Sequence, residues 1–222
     1  AAERAAPAPA RELIFVVDTS GSMGGTAIAQ ARNSVSRALQ QLRPEDRFNI
    51  IEFNSTHRAL YRRPVPATRH HVQQAQEFVR QLQATGGTEM LPALRAALEP
   101  RQATDALEEQ LALRQVIFIT DGAVGNELAL FEEISARLGS SRLFTVGIGS
   151  APNSWFMREA ARFGRGSHTH IGSLDEVGDK MAALFAQLSQ SAVVDLDVTW
   201  PATAPPGQVE AWPERLPDLY LG

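Results

Sequence analysis

Cysteine is absent from the 222 residues, lysine occurs once, as Lys180, and aromatic residues make up only 7% of the chain. Without cysteine there are no disulfides and no thiolate metal sites, which suits either the cytosol or a bacterial cell surface. No apolar run is long enough to span a bilayer as a helix. Positive charge is also in short supply. A net charge of −4 gives no basic surface of the kind that nucleic acid or an anionic membrane attracts. The opening AAERAAPAPA lacks the apolar stretch of a signal peptide, and its Ala/Pro composition reads as a linker over residues 1–10. The chain is therefore expected to be one module of something longer.

What is present is an alternation of two periods. Short runs rich in β-branched residues, ELIFVV (12–17), RFNIIEF (47–53), QVIFIT (115–120) and RLFTVGIG (142–149), read as buried strands. Between them, apolar residues recur at helical spacing. Ile28, Ala31, Val35, Ala38 and Leu39 mark one helix, and Val72, Ala75, Val79 and Leu82 a second. Leu91, Leu94 and Leu98 mark a third, and Phe131, Ile134 and Leu138 a fourth. Phe156, Ala160 and Phe163 form a short helix closed by Gly164, and SHTHI (167–171) a last strand. HRALYRR around Leu60 reads as an edge strand. Ser173 and Glu176 form a capping box, opening a final helix with the stripe Leu174, Val177, Met181, Leu184 and Leu188. The pattern predicts an α/β domain over residues 11–190: a doubly wound, mainly parallel sheet with helices on both faces. Beyond it, AVVDLDVTW alternates apolar and polar residues and QVEAW and LPDLYLG are short and proline-flanked, so residues 191–222 read as a partial β-rich extension.

The run FVVDTSGSM (15–23) holds the chemistry. A strand that looks buried ends on Asp18 and is followed at once by Thr19, Ser20 and Ser22. In an open parallel sheet, ligands bind beyond the carboxyl ends of the strands. Asp18 sits at one such end and Asp121 at another. ATGGTEM (84–90) places Thr88 at the start of the third helix. Asp18, Ser20, Ser22, Thr88 and Asp121 are thus expected on one edge at the surface. Two carboxylates and three hydroxyls, all oxygen, suit a hard cation of octahedral preference, Mg²⁺ or Mn²⁺. Gly21 is expected to let the backbone bend between the serines.

Asp18-Thr19-Ser20-Gly21-Ser22, with Thr88 and with Thr120-Asp121-Gly122, resembles the metal-ion-dependent adhesion site (MIDAS) of von Willebrand factor type A domains, over about residues 11 to 190. The segments FITDGAVGNE, LFTVGIGSAPNSWFMREAARFGRGSHTHIG and VEAWPERLPDLYLG further resemble bacterial proteins like the inter-α-trypsin-inhibitor heavy chains, in particular the marine proteobacterial sortase-target proteins. That resemblance implies a Rossmann-like fold and a secreted or surface-anchored bacterial protein at the cell surface, in which this segment is a monomeric module. It implies one divalent cation, Mg²⁺ first, with Mn²⁺ or Ca²⁺ admissible. Ser20, Ser22 and Thr88 would touch the cation, while Asp18 and Asp121 act mostly through water. A cation held by neutral hydroxyls keeps charge to offer, so the implied partner is a protein or glycan presenting a carboxylate, and the implied role is adhesion rather than catalysis. In members that switch affinity the last helix slides by a turn, and a rigid module is the alternative.

Other readings of the same residues are weaker. Asp-Thr-Ser-Gly-Ser is superficially like an aspartic-protease motif, but the pattern is not all-β. A Mg²⁺-dependent phosphatase of the haloacid-dehalogenase kind needs an acid where Ser20 stands. An intracellular assembly module of the same fold is a further alternative. Gly147-x-Gly149 fails the dinucleotide pattern, and LPDLY lacks the Thr-Gly of a sortase signal. Glu89 reads as a helix-dipole partner, His168 and His170 as a surface pair on one strand face, and His70-His71 as solvated. Met23, Gly24 and Gly25 follow Ser22 where an adjacent calcium site would need acids, so a single metal is expected.

Overall fold

The computed structural model describes residues 10–100, 113–122, 126–149 and 153–189. Residues 1–9 of the expected linker (1–10) and the whole of the expected β-rich extension (191–222) therefore lie outside the described residues. β1 (Arg11–Asp18) is buried along its whole length. It pairs in parallel with β2 (Arg47–Phe53) on one side and β5 (Leu113–Thr120) on the other. β6 (Arg142–Ile148) and β7 (Arg165–Ile171) extend the parallel sheet beyond β5. Two short antiparallel strands, β3 (His57–Ala59) and β4 (Val65–Pro66), pair with β2 at the opposite edge. The strand order is β3-β2-β1-β5-β6-β7.

Strand periodicity sorts β1 between two cores. Leu13, Phe15 and Val17 pack with α1 (Thr26–Gln40), α2 (Arg69–Gln81) and α6 (Val177–Ser189). Ile14 and Val16 face α3 (Met90–Ala97), α4 (Glu127–Arg137) and α5 (Ser154–Phe163). A strand covered on both faces must be apolar at every interior position, which is why ELIFVV shows no alternation. The chain leaves β1 through a helix on one face to reach β2, and leaves β5 through a helix on the other face to reach β6. The crevice between the carboxyl ends of β1 and β5 is the switch point of the fold, where ligands bind in such sheets.

The final helix differs from its sequence reading. It begins at Val177, and Leu174 stands outside it, 42% exposed; Phe185 joins Val177, Met181, Leu184 and Leu188 on the buried side. The Glu176 carboxylate reaches back to the backbone N–H of Gly172 rather than of Ser173. At the far end α6 is fastened three times. Arg11 Nη1 donates to Ser189 Oγ (2.8 Å), Gln115 Nε2 to the Leu188 carbonyl (3.2 Å) and Ser167 Oγ to Gln187 Oε1 (2.8 Å). A one-turn slide would break all three.

Gly164 is also not the left-handed helix stop its position suggests. Its φ is −79°, and the positive φ of 57° falls on Arg165. The glycine is needed for space, because a Cβ there would lie 2.3 Å from Leu143 Cβ on β6. His71 is not solvated either. Half-buried, it packs edge-on against Tyr61, and its Nδ1 meets the Pro66 carbonyl at 2.8 Å.

At the amino-terminal end of the sheet, Asp46 is fully buried and forms an ion pair with Arg11, itself only 3% exposed. Arg43 adds its backbone N–H (2.8 Å) and its guanidinium (3.0 Å). Burial alone would raise the Asp46 pKa, but the hydrogen bonds from Arg11 and Arg43 outweigh it and hold the carboxyl below its ordinary value. The folded pKa is depressed, so this contribution to stability is present above the unfolded pKa near 3.8 and is lost as pH falls through the folded value. Removing one partner strands the other charge. Asp46→Ala is expected to lower the unfolding free energy by about 3–5 kcal/mol, read by urea denaturation at neutral pH. The gap between variant and wild type should close in strong acid.

Candidate metal centre

β1 delivers Asp18 to the crevice as its last residue. The strand leaves it no solvent: Asp18 is fully buried, contrary to the surface position expected from the sequence. Both carboxylate oxygens are engaged. Oδ1 accepts the backbone N–H of Ser20 at 2.8 Å, a two-residue turn of the kind Asp side chains favour. Oδ2 accepts the hydroxyl of Thr120, from the end of β5, at 2.5 Å. Thr120 Oγ1 in turn accepts the N–H of Gly122 at 3.0 Å. Burial raises the Asp18 pKa above its ordinary value; hydrogen bonds from Ser20 and Thr120 oppose the shift, and the nearby negative charge of Asp121 adds to it.

The turn after β1 is a single 3₁₀ turn over Gly21–Met23. Met23 closes it by donating to the Ser20 carbonyl at 3.0 Å and plugs into the core. The turn sets Ser20 Oγ and Ser22 Oγ 3.0 Å apart, Ser20 buried and Ser22 exposed. Gly21 has a different task from the bend expected of it. Its N–H donates to the Gly86 carbonyl at 3.0 Å, and a Cβ on Gly21 would approach that same oxygen to 3.2 Å. The glycine lets a second loop come close.

That second loop carries Thr88. Thr85 N–H donates to the Thr19 carbonyl (2.8 Å), Gly87 N–H to Ser55 Oγ (2.8 Å) and Glu89 N–H to the Asn54 carbonyl (2.7 Å). Thr19 holds the other side, its Oγ1 donating to the Phe53 carbonyl at 3.0 Å. Thr88 is half-buried and lies two residues before α3, not at its first turn; exposed Glu89 takes the N-cap position without a side-chain cap. Asp121 follows Thr120 and shares with Ser22 the wall of a cavity of about 650 Å³ beside the turn.

Four of the five residues read from the sequence are thus linked by described contacts. Ser20 binds Asp18 through its N–H and Ser22 through its hydroxyl, and Asp121 acts on the Asp18 charge. Thr88 comes to the same edge through its loop. Among the described residues no three His, Cys, Asp or Glu side chains cluster in a way that could hold a metal ion. The two strand histidines point to other duties. His168 Nδ1 lies 3.0 Å from Thr145 Oγ1, and His170 Nε2 lies 2.9 Å from the Gly149 carbonyl. Sequence reading missed Thr120 as the clamp on Asp18, and Asn54 and Ser55 as anchors of the Thr88 loop. Thr120 was within reach, being the hydroxyl directly before Asp121; Asn54 and Ser55 carry no motif.

A mainly parallel α/β sheet with a buried strand-end aspartate, a serine pair in front of it and the Thr88 loop docked alongside defines an open-sheet α/β domain with its polar loops gathered at one edge. The family can be stated as well. Residues 11–169 match the model of the von Willebrand factor type A domain, and the chain belongs to that family. It is similar to inter-alpha-trypsin inhibitor heavy chain 4 of Mus musculus, 30% identical over 162 residues, covering 70% of this chain and 17% of that protein. It is similar in fold to a von Willebrand factor type A structure from Catenulispora acidiphila, with TM-score 0.68, 21% identity and coverage of 81% of this chain and 42% of that one. The manganese-loaded TRAP protein of Plasmodium vivax shares the fold at TM-score 0.57 and 21% identity, covering 79% of this chain and 73% of that one. The chain spans between a tenth and a quarter of the length of the curated relatives it matches. No helix among the described residues is long and apolar enough to cross a membrane.

The clamp on Asp18 makes Thr120 a structural test. Thr120→Val keeps the shape but orphans a carboxylate oxygen and the Gly122 N–H, each costing about 1–3 kcal/mol. Chemical denaturation should show that loss, and Thr120→Ser, which can keep both bonds, should recover most of it.

Proposed function

We propose that this chain is a protein-binding adhesion module that holds one divalent cation on Ser20, Ser22 and Thr88, backed by Asp18 and Asp121. The observation that carries the reading is the 3.0 Å separation of Ser20 Oγ and Ser22 Oγ. Two adjacent ligands of an octahedral ion at 2.0–2.1 Å lie about 2.8–3.0 Å apart, so the hydroxyl pair can pass from its mutual hydrogen bond to a cation with little rearrangement. The donor set therefore fits Mg²⁺ or Mn²⁺, and the manganese in the related TRAP fold supports the same choice.

In this reading Asp18 does not touch the cation. Its oxygens are committed to Ser20 N–H and Thr120 Oγ1, and its negative charge sits behind the serines. It positions the Ser20 backbone and lowers the cost of bringing a cation near. The bound cation supplies a Lewis-acidic face, and its natural complement is a carboxylate of the ligand. The carboxylate–hydroxyl pair of the site, Asp18 with Thr120, is fully buried and serves to hold the turn, so binding rather than turnover is the role proposed. A secreted or surface-anchored bacterial protein, of the sortase-target kind and carrying this domain as one module, is the setting we propose. The pilus adhesin SpaC of Lactobacillus rhamnosus GG, a fold relative at TM-score 0.66 and 16% identity, supports such a setting.

Calorimetry with Mg²⁺ and Mn²⁺ tests the site. Wild type should bind one equivalent and melt at a higher temperature with the metal than with EDTA. Asp18→Asn should weaken binding by roughly 10–100-fold, as loss of an outer-shell partner does, and Ser22→Ala by more, with its apo melting temperature unchanged because Ser22 is exposed. Undiminished binding by Ser22→Ala would remove the assignment.

A further inference from the structure

The cavity of about 650 Å³ beside the serine turn runs from Ser22 and Asp121 toward the carboxyl ends of β6 and β7. Its wall includes Thr26 and Gln30 of α1, Asn153 and the backbone of Gly149 and Gly172. α1 is 15 residues long, and its N-cap, Gly25, supplies no side-chain cap to the first-turn N–H groups. Deeper along the same helix, Gln30 is 1% exposed, and neither its Nε2 nor its Oε1 has a hydrogen-bond partner among the described residues. A buried amide left unpaired is costly; Ser34 Oγ, one turn further along α1, and Gln115 Oε1 on β5 are likewise without a partner among the described residues, but of the three only Gln30 lines the cavity.

We propose that this cavity is a second recognition pocket of the cation site, and that it takes a neutral hydrogen-bonding side chain, Asn, Gln, Ser or Thr, lying within a residue or two of the acidic residue of a protein ligand. The inference rests on the cation-site reading above. Gln30 offers one donor pair and one acceptor, so its complement must both accept and donate, as carboxamides and hydroxyls do. A second carboxylate would meet the charge of Asp121, and no basic side chain lines the pocket among the described residues. No aromatic ring lines it there either, so the flat face of a sugar has nothing to stack upon. Glycines at 24, 149 and 172 instead leave that wall free of side chains, so an extended main chain can lie close against it. Binding through a carboxylate alone would make every acidic loop a ligand; a site that pairs a buried amide rejects ligands that leave it unpaired.

The test is a selection. The 222-residue chain, immobilised with Mg²⁺, is offered a phage-displayed library of peptides with a fixed Asp or Glu and random neighbours, and bound phage are released with EDTA. The expected result is at least ~5-fold enrichment of Asn, Gln, Ser or Thr beside the acid, falling to the input level with Gln30→Leu. Gln30→Leu should keep or raise the melting temperature in EDTA, since it replaces an unpaired amide with an apolar side chain of similar size. A clear fall in melting temperature would reveal a structural partner for Gln30 and overturn the proposal. Acidic peptides recovered without a polar neighbour, or with the same preference in Gln30→Leu, would overturn it while leaving the cation site standing. Retention of uronic-acid oligosaccharides in place of peptides would overturn the protein assignment. If no phage is released by EDTA and calorimetry shows no Mg²⁺ binding, the cation-site reading fails as well.

Discussion

A single buried carboxylate organises this domain's working edge. Asp18 ends the central strand at the place where neighbouring crossovers diverge, and it is bonded to β5 through Thr120 and to its own following turn through Ser20. Those two bonds fix the separation of the β1 and β5 ends and the start of the serine turn together. Once the turn is set, Gly21 and Thr19 present the polar backbone groups on which the Thr88 loop is hung. Burying an acid in this way costs desolvation, and the upward shift of its pKa is the sign of that cost. A cation in front of the serines would offset part of it.

The two ends of the sheet solve the same problem differently. Asp46, equally buried, sits among two arginines, and its pKa moves down. Asp18 is given neutral donors only, and its pKa moves up. An arginine beside Asp18 would stabilise the carboxylate and repel a cation. In the proposed reading, leaving the charge only partly compensated is what separates the Asp18 edge from a structural ion pair, and the difference lies in the partners of the two acids.

Much of this was legible in the amino-acid sequence, for definite reasons. Strands covered on both faces must be continuously apolar, so β1, β2, β5 and β6 announce themselves. The residues following them must serve the crevice, so Asp18, Ser20, Ser22 and Asp121 stand out by type and place. What the sequence hides are relations between distant loops. Thr120 reads as a strand residue until its hydroxyl is seen on Asp18. Gly21 and Gly164 read as backbone bends, yet both are there to admit a neighbour, the Gly86 carbonyl and Leu143. Leu174 fits the helical stripe by spacing, yet the helix starts at Val177 and leaves it in solvent.

Gln30 shows the same limit from the other side. By spacing it falls among Ile28, Ala31 and Val35, on a helix whose buried side is otherwise mostly apolar, and a leucine there would satisfy every requirement of the core. Periodicity treats a polar residue at such a place as noise or as an exposed neighbour of the stripe. Burial turns it into a question, since an amide held from water without a partner opposes folding. The cation edge also had to tolerate Asp18, a second group the core would not choose. Both lie where β1 and α1 meet the crevice. Buried polar atoms without a partner among the described residues also occur away from this edge, at Ser34 Oγ on α1 and Gln115 Oε1 on β5, so what singles out Gln30 is its place in the wall of the cavity beside the serine turn.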